Sequence, residues 1–191
     1  MLPAPVLERG GEEVLIWLIA GASHTGKTLL AQRLLETYRV PYLSMDHLKM
    51  GMIRSGMLAL TVQDDEPLTE ALWPVVREII KTAVENRQHL IVEGGYLPFT
   101  WREDFPAQML EELRYCCLVM TEGYIRSHMD EIRGFANAIE QRLDDGDCTA
   151  ERLVAENRHN LEQCQAHGCP YCLIESDYQR EIAGAERLLR P

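Results

Sequence analysis

The chain has 191 residues, of which 19 are lysine or arginine and 30 are aspartate or glutamate, so its formal net charge is −11. This length predicts a single domain over residues 1–191, and a composition that is 46% hydrophobic and 26% charged excludes a mainly disordered chain. The acidic balance argues against nucleic acid or an anionic membrane as a partner, because both attract positive surfaces. A small anionic ligand remains compatible with this acidic composition, since it needs only a local positive site.

The sequence shows neither a candidate membrane span nor a secretion signal. Its longest apolar run covers residues 14–22, whereas a membrane-spanning helix needs about 20 apolar residues. The N-terminus, MLPAP, lacks a basic segment followed by an apolar stretch. We therefore expect a cytoplasmic protein that has no membrane partner.

The cysteines lie in the second half of the chain, at positions 116, 117, 148, 164, 169 and 172. In a cytoplasmic chain of this length we expect free thiols. The CPYC segment at 169–172 is similar to the redox motif of glutaredoxins, but its apolar continuation near the C-terminus favours a turn before a buried strand. An alternative is a zinc site, whose ligands would be Cys164, His167, Cys169 and Cys172.

Apolar runs predict five strands. Residues 14–19 form a continuous apolar run, which is typical of a strand that is buried on both faces of a parallel sheet. A glycine-bearing loop follows, and then leucines at helical spacing. The other predicted strands cover residues 40–44, 90–92, 115–120 and 171–174.

Helices are predicted between these strands from capping residues and from apolar positions three and four residues apart. Residues 64–67 form a helix start, and Thr121, Thr149 and Asp177 are predicted caps of later helices. The apolar stripe that follows Thr121 predicts one long helix to residue 143. The alternation of strands and helices predicts an α/β fold, with a five-stranded parallel sheet and helices on both faces.

Residues 21–28 match the phosphate-binding pattern G-x-x-x-x-G-K-[ST] without deviation, between the first strand and its helix. The backbone N–H groups of such a loop surround phosphate oxygens, and the N-terminus of the following helix adds positive charge. Lys27 can reach the β- and γ-phosphates, and the Thr28 hydroxyl can ligate Mg²⁺. The predicted nucleotide-binding residues are Gly21, Ala22, Ser23, His24, Thr25, Gly26, Lys27 and Thr28.

Two acidic residues follow the second and third strands. Ligands in open α/β sheets bind outside the carboxyl ends of the strands, so Asp46 is a candidate to accept a hydroxyl proton or to hold Mg²⁺ through water. The alternative role of Asp46 is a helix cap. Glu93 is a candidate functional residue, because burying a charge at the end of a strand costs free energy unless the charge has a function or a partner. Gly94, which follows it, permits close backbone approach of a substrate.

Arginines on the helix after Thr121 are candidates to neutralise phosphate charge. Arg126 and Arg133 are seven residues apart and share nearly the same helix face. The alternative is that both pair with Asp130, which lies between them at helical spacing.

Together these residues resemble the P-loop small-molecule kinases, a group related to the nucleoside monophosphate kinases. The resemblance covers about residues 13–190. Asp46 resembles the acceptor-site aspartate of shikimate kinases, chloramphenicol phosphotransferases and zeta toxins, and residues 91–98 resemble a stretch of archaeal 2-phosphoglycerate kinases. The resemblance implies the three-layer P-loop NTPase fold, catalytic roles for Lys27, Asp46 and Glu93, and lid arginines at positions 126 and 133.

The implied activity is transfer of the γ-phosphate of ATP, with Mg²⁺, to a hydroxyl of a small metabolite. Asp46, Glu93 and Gly94 would then contact the acceptor. One alternative acceptor is a nucleotide or nucleotide sugar, whose phosphate Arg54 would bind with Lys49 nearby. Another alternative is an ATP-dependent switch without an acceptor, with residues 134–149 as a candidate lid. We expect a monomer or a homodimer.

Overall fold

The computed structural model describes residues 14–135 and 148–190, in which five strands form one parallel sheet. The strands are β1 (Ile16–Gly21), β2 (Tyr42–Ser44), β3 (Leu90–Glu93), β4 (Leu113–Met120) and β5 (Tyr171–Ile174), in the spatial order β2-β3-β1-β4-β5. The helices are α1 (Lys27–Tyr38), α2 (Met45–Arg54), α3 (Asp65–Glu85), α4 (Ala107–Leu110), α5 (Glu122–Ser127), α6 (Met129–Phe135), α7 (Ala150–His167) and α8 (Tyr178–Leu189), with a 3-10 helix at Trp101–Asp104.

The two faces of β1 belong to two separate apolar clusters. Ile16 and Leu18 share one cluster with buried residues of α3, such as Leu72. Trp17 and Ile19 share the other cluster with buried residues of α1 and α8. The α/β prediction is confirmed, because helices cover both faces and the sheet forms the middle of three layers.

Three predicted helix caps are confirmed. The side chains of Thr121, Thr149 and Asp177 each accept a hydrogen bond from a backbone N–H of the first turn of the helix that follows. Such bonds satisfy donors that the first turn of a helix leaves unpaired. The capped helices therefore begin where the sequence predicts.

The single long helix predicted after Thr121 is wrong, because α5 and α6 are separate helices that meet at His128. The Ser127 hydroxyl donates to the Gly123 carbonyl at 2.8 Å, and the His128 ring contacts the Tyr124 carbonyl at 3.1 Å. Side chains that bond to helix carbonyls compete with the backbone ladder. The rest of the predicted helix and most of the candidate lid, residues 136–147, lie outside the described residues.

The cysteines are free thiols, and the two of the CPYC segment belong to different sides of the sheet. Cys169 lies in the apolar cluster of α3, whereas Cys172 packs against the cluster of α1 and α8. The two sulfur atoms therefore do not face each other as a redox pair would. Cys164 shares the side of Cys169, so the zinc-ligand alternative is also divided between the two faces.

No helix within residues 14–135 and 148–190 is both long enough and apolar enough to cross a membrane.

The end of β3 packs tightly against the start of α2. A Cβ atom added to Gly94 would lie 2.6 Å from the Cβ atom of Met45, which is fully buried. This close approach gives Gly94 a packing function, and it sets the distance between β3 and the helix that carries Asp46.

We expect Gly94→Ala to lower the free energy of unfolding by about 1–3 kcal/mol, the usual cost of overpacking a core. The control is Gly123→Ala in α5, where an added Cβ meets open space and alanine favours the helix by about 0.5–1 kcal/mol. Urea denaturation measures both variants. Equal stability of Gly94→Ala and the wild type would contradict the packing function.

Candidate active site

The loop between β1 and α1 has a backbone shape that two glycines make possible. Gly21 has φ 146° and Gly26 has φ 87°, a region that residues with side chains rarely adopt. A Cβ atom on Gly21 would also lie 2.6 Å from the Leu118 carbonyl oxygen, and one on Gly26 would collide with the Tyr178 hydroxyl. Both glycines of the motif are therefore required by conformation and by space.

The polar side chains of the loop turn inward. The Thr25 hydroxyl donates to the Ala22 carbonyl at 2.9 Å, and the Lys27 ammonium donates to the same oxygen at 2.8 Å. Thr25 is fully buried and Lys27 is only 7% exposed, whereas Thr28 is partly exposed on the first turn of α1. The loop thus holds one positive charge inside its curve, next to the N-terminus of a helix.

Glu93 ends β3 with a fully buried side chain. Its backbone neighbours in the sheet are Ile19 of β1 and Ser44 of β2. Ile19 precedes the phosphate loop by two residues, and Asp46 follows Ser44 by two. Glu93 therefore stands between the phosphate loop and Asp46 along the carboxyl edge of the sheet.

Asp46 lies in the first turn of α2, where it forms an ion pair that sequence reasoning missed. Lys49 donates to Asp46 Oδ1 at 2.5 Å and to the Tyr96 hydroxyl at 2.9 Å. Burial lowers the pKa of Lys49, but the Asp46 charge and the hydrogen bonds to Asp46 and Tyr96 outweigh it, so the pKa is raised. Lys49 is thus held as a cation against Asp46.

Tyr96 extends this network to α3. Its side chain is almost fully buried, and burial raises the pKa of its hydroxyl against the opposing effect of Lys49. The pKa of Asp65 is also raised, by burial first and then by Glu156, while a hydrogen bond from Tyr96 opposes the rise. Asp46, Lys49, Tyr96 and Asp65 therefore form one polar network, which we call the acceptor-side network.

Two signals in the sequence could have identified this network. Lys49 follows Asp46 by three residues, which is the spacing of an ion pair along one helix face. Tyr96 directly follows the two glycines after a buried acid. By contrast, Arg54 ends α2 with an exposed side chain, and its backbone lies eight residues, about 12 Å along the helix axis, beyond Asp46.

Arg126 and Arg133 contact groups other than Asp130. Arg126 pairs with Glu122 at 2.9 Å and with Glu151 at 3.4 Å, and its side chain is 50% exposed. Arg133 donates to the Cys148 carbonyl through Nη2 at 2.8 Å and through Nε at 3.3 Å. Arg126 therefore connects α5 to α7, and Arg133 connects α6 to the residue that precedes the Thr149 cap.

Tyr178 is a second contact that sequence reasoning missed. It begins α8, and its hydroxyl lies against Gly26 and donates to the Thr25 carbonyl at 3.4 Å. Burial raises the pKa of Tyr178 to about 12, so the phenol keeps its proton at neutral pH. No periodic or local pattern indicates this contact, because it joins residues 153 positions apart.

Comparison with solved structures identifies the fold. A gluconokinase from Sinorhizobium meliloti 1021 is similar with a TM-score of 0.52 and 16% identity, over 93% of this chain and 94% of that chain. A shikimate kinase from Bacteroides thetaiotaomicron is similar with a TM-score of 0.54 and 16% identity, over 91% of this chain and 96% of that chain. No protein-family model and no curated protein sequence matches the chain. The chain has the fold of the P-loop small-molecule kinases.

We expect the free energy of unfolding of Lys49→Met to fall less at alkaline pH than that of the wild type. The folded-state pKa of Lys49 lies above its ordinary value of about 10.5. Its stabilising contribution is therefore complete below that pH and is lost as pH rises through the folded-state pKa. Urea denaturation from pH 9 to 11.5 should show a smaller decline in the variant than in the wild type.

Lys81→Met is the matched control, because Lys81 pairs at 3.0 Å with the exposed Glu78 on the outer surface of α3. This variant should follow the wild-type pH profile. Identical alkaline profiles for Lys49→Met and the wild type would contradict a stabilising role of the ion pair in the folded state.

Proposed function

We propose that this protein is a kinase that transfers the γ-phosphate of ATP to a hydroxyl group of a small metabolite. One observation carries the proposal. The phosphate loop, Glu93 and Asp46 follow one another along the carboxyl ends of β1, β3 and β2, which are neighbours in that order. Ligands of open α/β sheets bind at this edge, so a phosphate donor and an acceptor would meet there.

The loop would bind the phosphate groups of the nucleotide. Its curved backbone and the first turn of α1 present N–H groups to anionic oxygens. Lys27 is already buried within the curve. Its ammonium group would exchange the Ala22 carbonyl for a phosphate oxygen and so would remain hydrogen-bonded. Binding thus needs little rearrangement of the loop.

The residues around the loop fit Mg²⁺, which prefers oxygen ligands and retains several waters when it binds. The Thr28 hydroxyl on the first turn of α1 would ligate the ion, and the buried Glu93 carboxylate would hold one of its waters. When bound, Mg²⁺ supplies positive charge against the oxygens of the transferring phosphate.

Asp46 would orient the acceptor hydroxyl and accept its proton. Its carboxylate needs a fixed direction for this function, because catalysis depends on hydrogen-bond contact with the reacting group. Lys49 supplies that direction through its 2.5 Å contact with Oδ1. Tyr96 in turn holds Lys49, so the acceptor-side network would position the proposed base.

Arg126 would neutralise phosphate charge by exchanging partners. Its present partners, Glu122 and Glu151, are exposed, and exposed ion pairs contribute only about 0–1 kcal/mol each. A triphosphate can therefore displace them at low cost. Arg133 would act nearby, since its partner in the structure is a neutral carbonyl rather than a carboxylate.

Incubation of the protein with labelled ATP and a metabolite extract tests the function directly. A labelled, non-nucleotide product is the expected result. Products that are only nucleotides or nucleotide sugars would favour the alternative kinase, and ATP hydrolysis without any phosphorylated metabolite would favour the switch.

With the identified acceptor, we expect Asp46→Asn to reduce turnover by about 10²–10⁴-fold, the range that general-base catalysis supplies. The affinity for MgADP should stay within about threefold of the wild type, because a neutral side chain at 46 leaves the loop intact. Asp130→Asn, on the exposed surface of α6, is the matched control. Wild-type turnover in Asp46→Asn would remove Asp46 from the mechanism.

We also expect Tyr178→Ala to weaken MgADP binding by about tenfold, equivalent to about 1.4 kcal/mol. The ring supports Gly26, and its removal frees the loop to adopt other shapes. Tyr178→Phe should change the affinity by less than about threefold, because the hydroxyl bond is long and weak. Calorimetric titration measures both, and unchanged affinity in Tyr178→Ala would contradict the supporting role.

A further inference from the structure

Ser44 carries a buried hydroxyl that its local structure does not explain. The residue is 3% exposed, and its Oγ has no hydrogen-bond partner within residues 14–135 and 148–190. Ser44 is the N-cap residue of α2, a position where serine ordinarily accepts a bond from the first turn. Its side chain makes no such bond, so the hydroxyl is directed away from its usual partner.

The alternation of side chains along β2 defines where this hydroxyl points. Tyr42 packs against the apolar cluster that contains the buried leucines of α1. Side chains two residues apart on a strand share a face, so Ser44 points to the side of the sheet that α1 covers. Ser44 pairs with Glu93 in the sheet, and Glu93 pairs with Ile19. Ile19 lies in the same apolar cluster against which Tyr42 packs.

The first turn of α1 lies over the carboxyl edge on this same face. α1 begins at Lys27, directly after the phosphate loop, and Thr28 is its second residue. Three oxygen-bearing side chains, those of Thr28, Ser44 and Glu93, therefore belong to one face at one edge of the sheet. The sheet contributes two of them from adjacent strands.

A buried hydroxyl without a partner destabilises a folded protein, since it has lost water and gained no bond. Buried polar groups of this kind are usually satisfied by water or an ion. Mg²⁺ binds with part of its water shell retained, and groups that hydrogen-bond such waters orient the ion. Ser44 stands where it can serve this function.

We propose that Ser44 is a further residue of the nucleotide–metal site, whose hydroxyl, together with Glu93, hydrogen-bonds the water shell of the Mg²⁺ that accompanies the nucleotide. The inference rests on the proposed function, because it requires that the loop bind a nucleotide with Mg²⁺. It adds a residue of β2 to a site that otherwise consists of the loop and β3. Ser44 acts through water and is a positioning residue.

The test is calorimetric titration of ADP into Ser44→Ala and wild-type protein, once with Mg²⁺ and once with EDTA. Loss of one hydrogen bond to the water shell should weaken binding with Mg²⁺ by about three- to tenfold. Binding with EDTA should be unchanged, because the loop contacts remain. The spectrum of bound Mn²⁺ in the ADP complex should also differ between the two proteins, since the second shell of the ion has changed.

Melting of the nucleotide-free protein separates this function from a structural one. Ser44→Ala removes a hydroxyl that has no partner, so its melting temperature should equal or exceed that of the wild type. Ser55→Ala is the control at the opposite end of α2, where the exposed hydroxyl bonds to the Met52 carbonyl. That variant should bind ADP as the wild type does under both conditions.

Three results would overturn the inference. They are unchanged binding of ADP with Mg²⁺, an equal loss with Mg²⁺ and EDTA, and a lowered melting temperature accompanied by loss under both conditions. A wild-type protein that binds no ADP would instead overturn the proposed function, and the role of Ser44 would fall with it. The wild-type titration therefore distinguishes the two failures.

Discussion

Because β1 is buried on both faces, its packing fixes the position of the loop that follows it. Its side chains alternate between two apolar clusters, and its backbone pairs with β3 and β4. Because the strand is fixed in this way, Gly21 at its end has a defined position, directly against the Leu118 carbonyl. The shape of the phosphate loop therefore follows from the packing of the core as much as from its own glycines.

The chain carries a net charge of −11, yet its candidate site collects positive groups in one place. Lys27 lies inside the loop beside the first turn of α1, and surface charges act only over about 8–10 Å at physiological ionic strength. A nucleotide near the loop would thus experience the local cation and the helix N-terminus more strongly than distant acidic residues. Next to it, Lys49 counters the charge of Asp46 within the acceptor-side network.

The predictable parts of this fold are those with local physical causes. The five apolar runs predict the sheet, and the glycine-bearing segment at 21–28 predicts the loop between β1 and α1, because each pattern is confined to a few adjacent residues. The break between α5 and α6 at His128 was not predictable from apolar spacing, because that spacing continues through the break. The side chains of Ser127 and His128 contact helix carbonyls there. The contact of Tyr178 with the loop and the pairing of Ser44 with Glu93 arise from elements that are distant in sequence.

The contact of Tyr178 with the phosphate loop has a consequence for how the protein folds. It joins residues 153 positions apart, and bringing distant segments together costs entropy that only the assembled structure recovers. The strand before the loop needs its neighbours β3 and β4, and the support under Gly26 comes from α8. The shape of the loop therefore depends on tertiary assembly, in which α8 both supports Gly26 and belongs to the apolar cluster that it shares with α1.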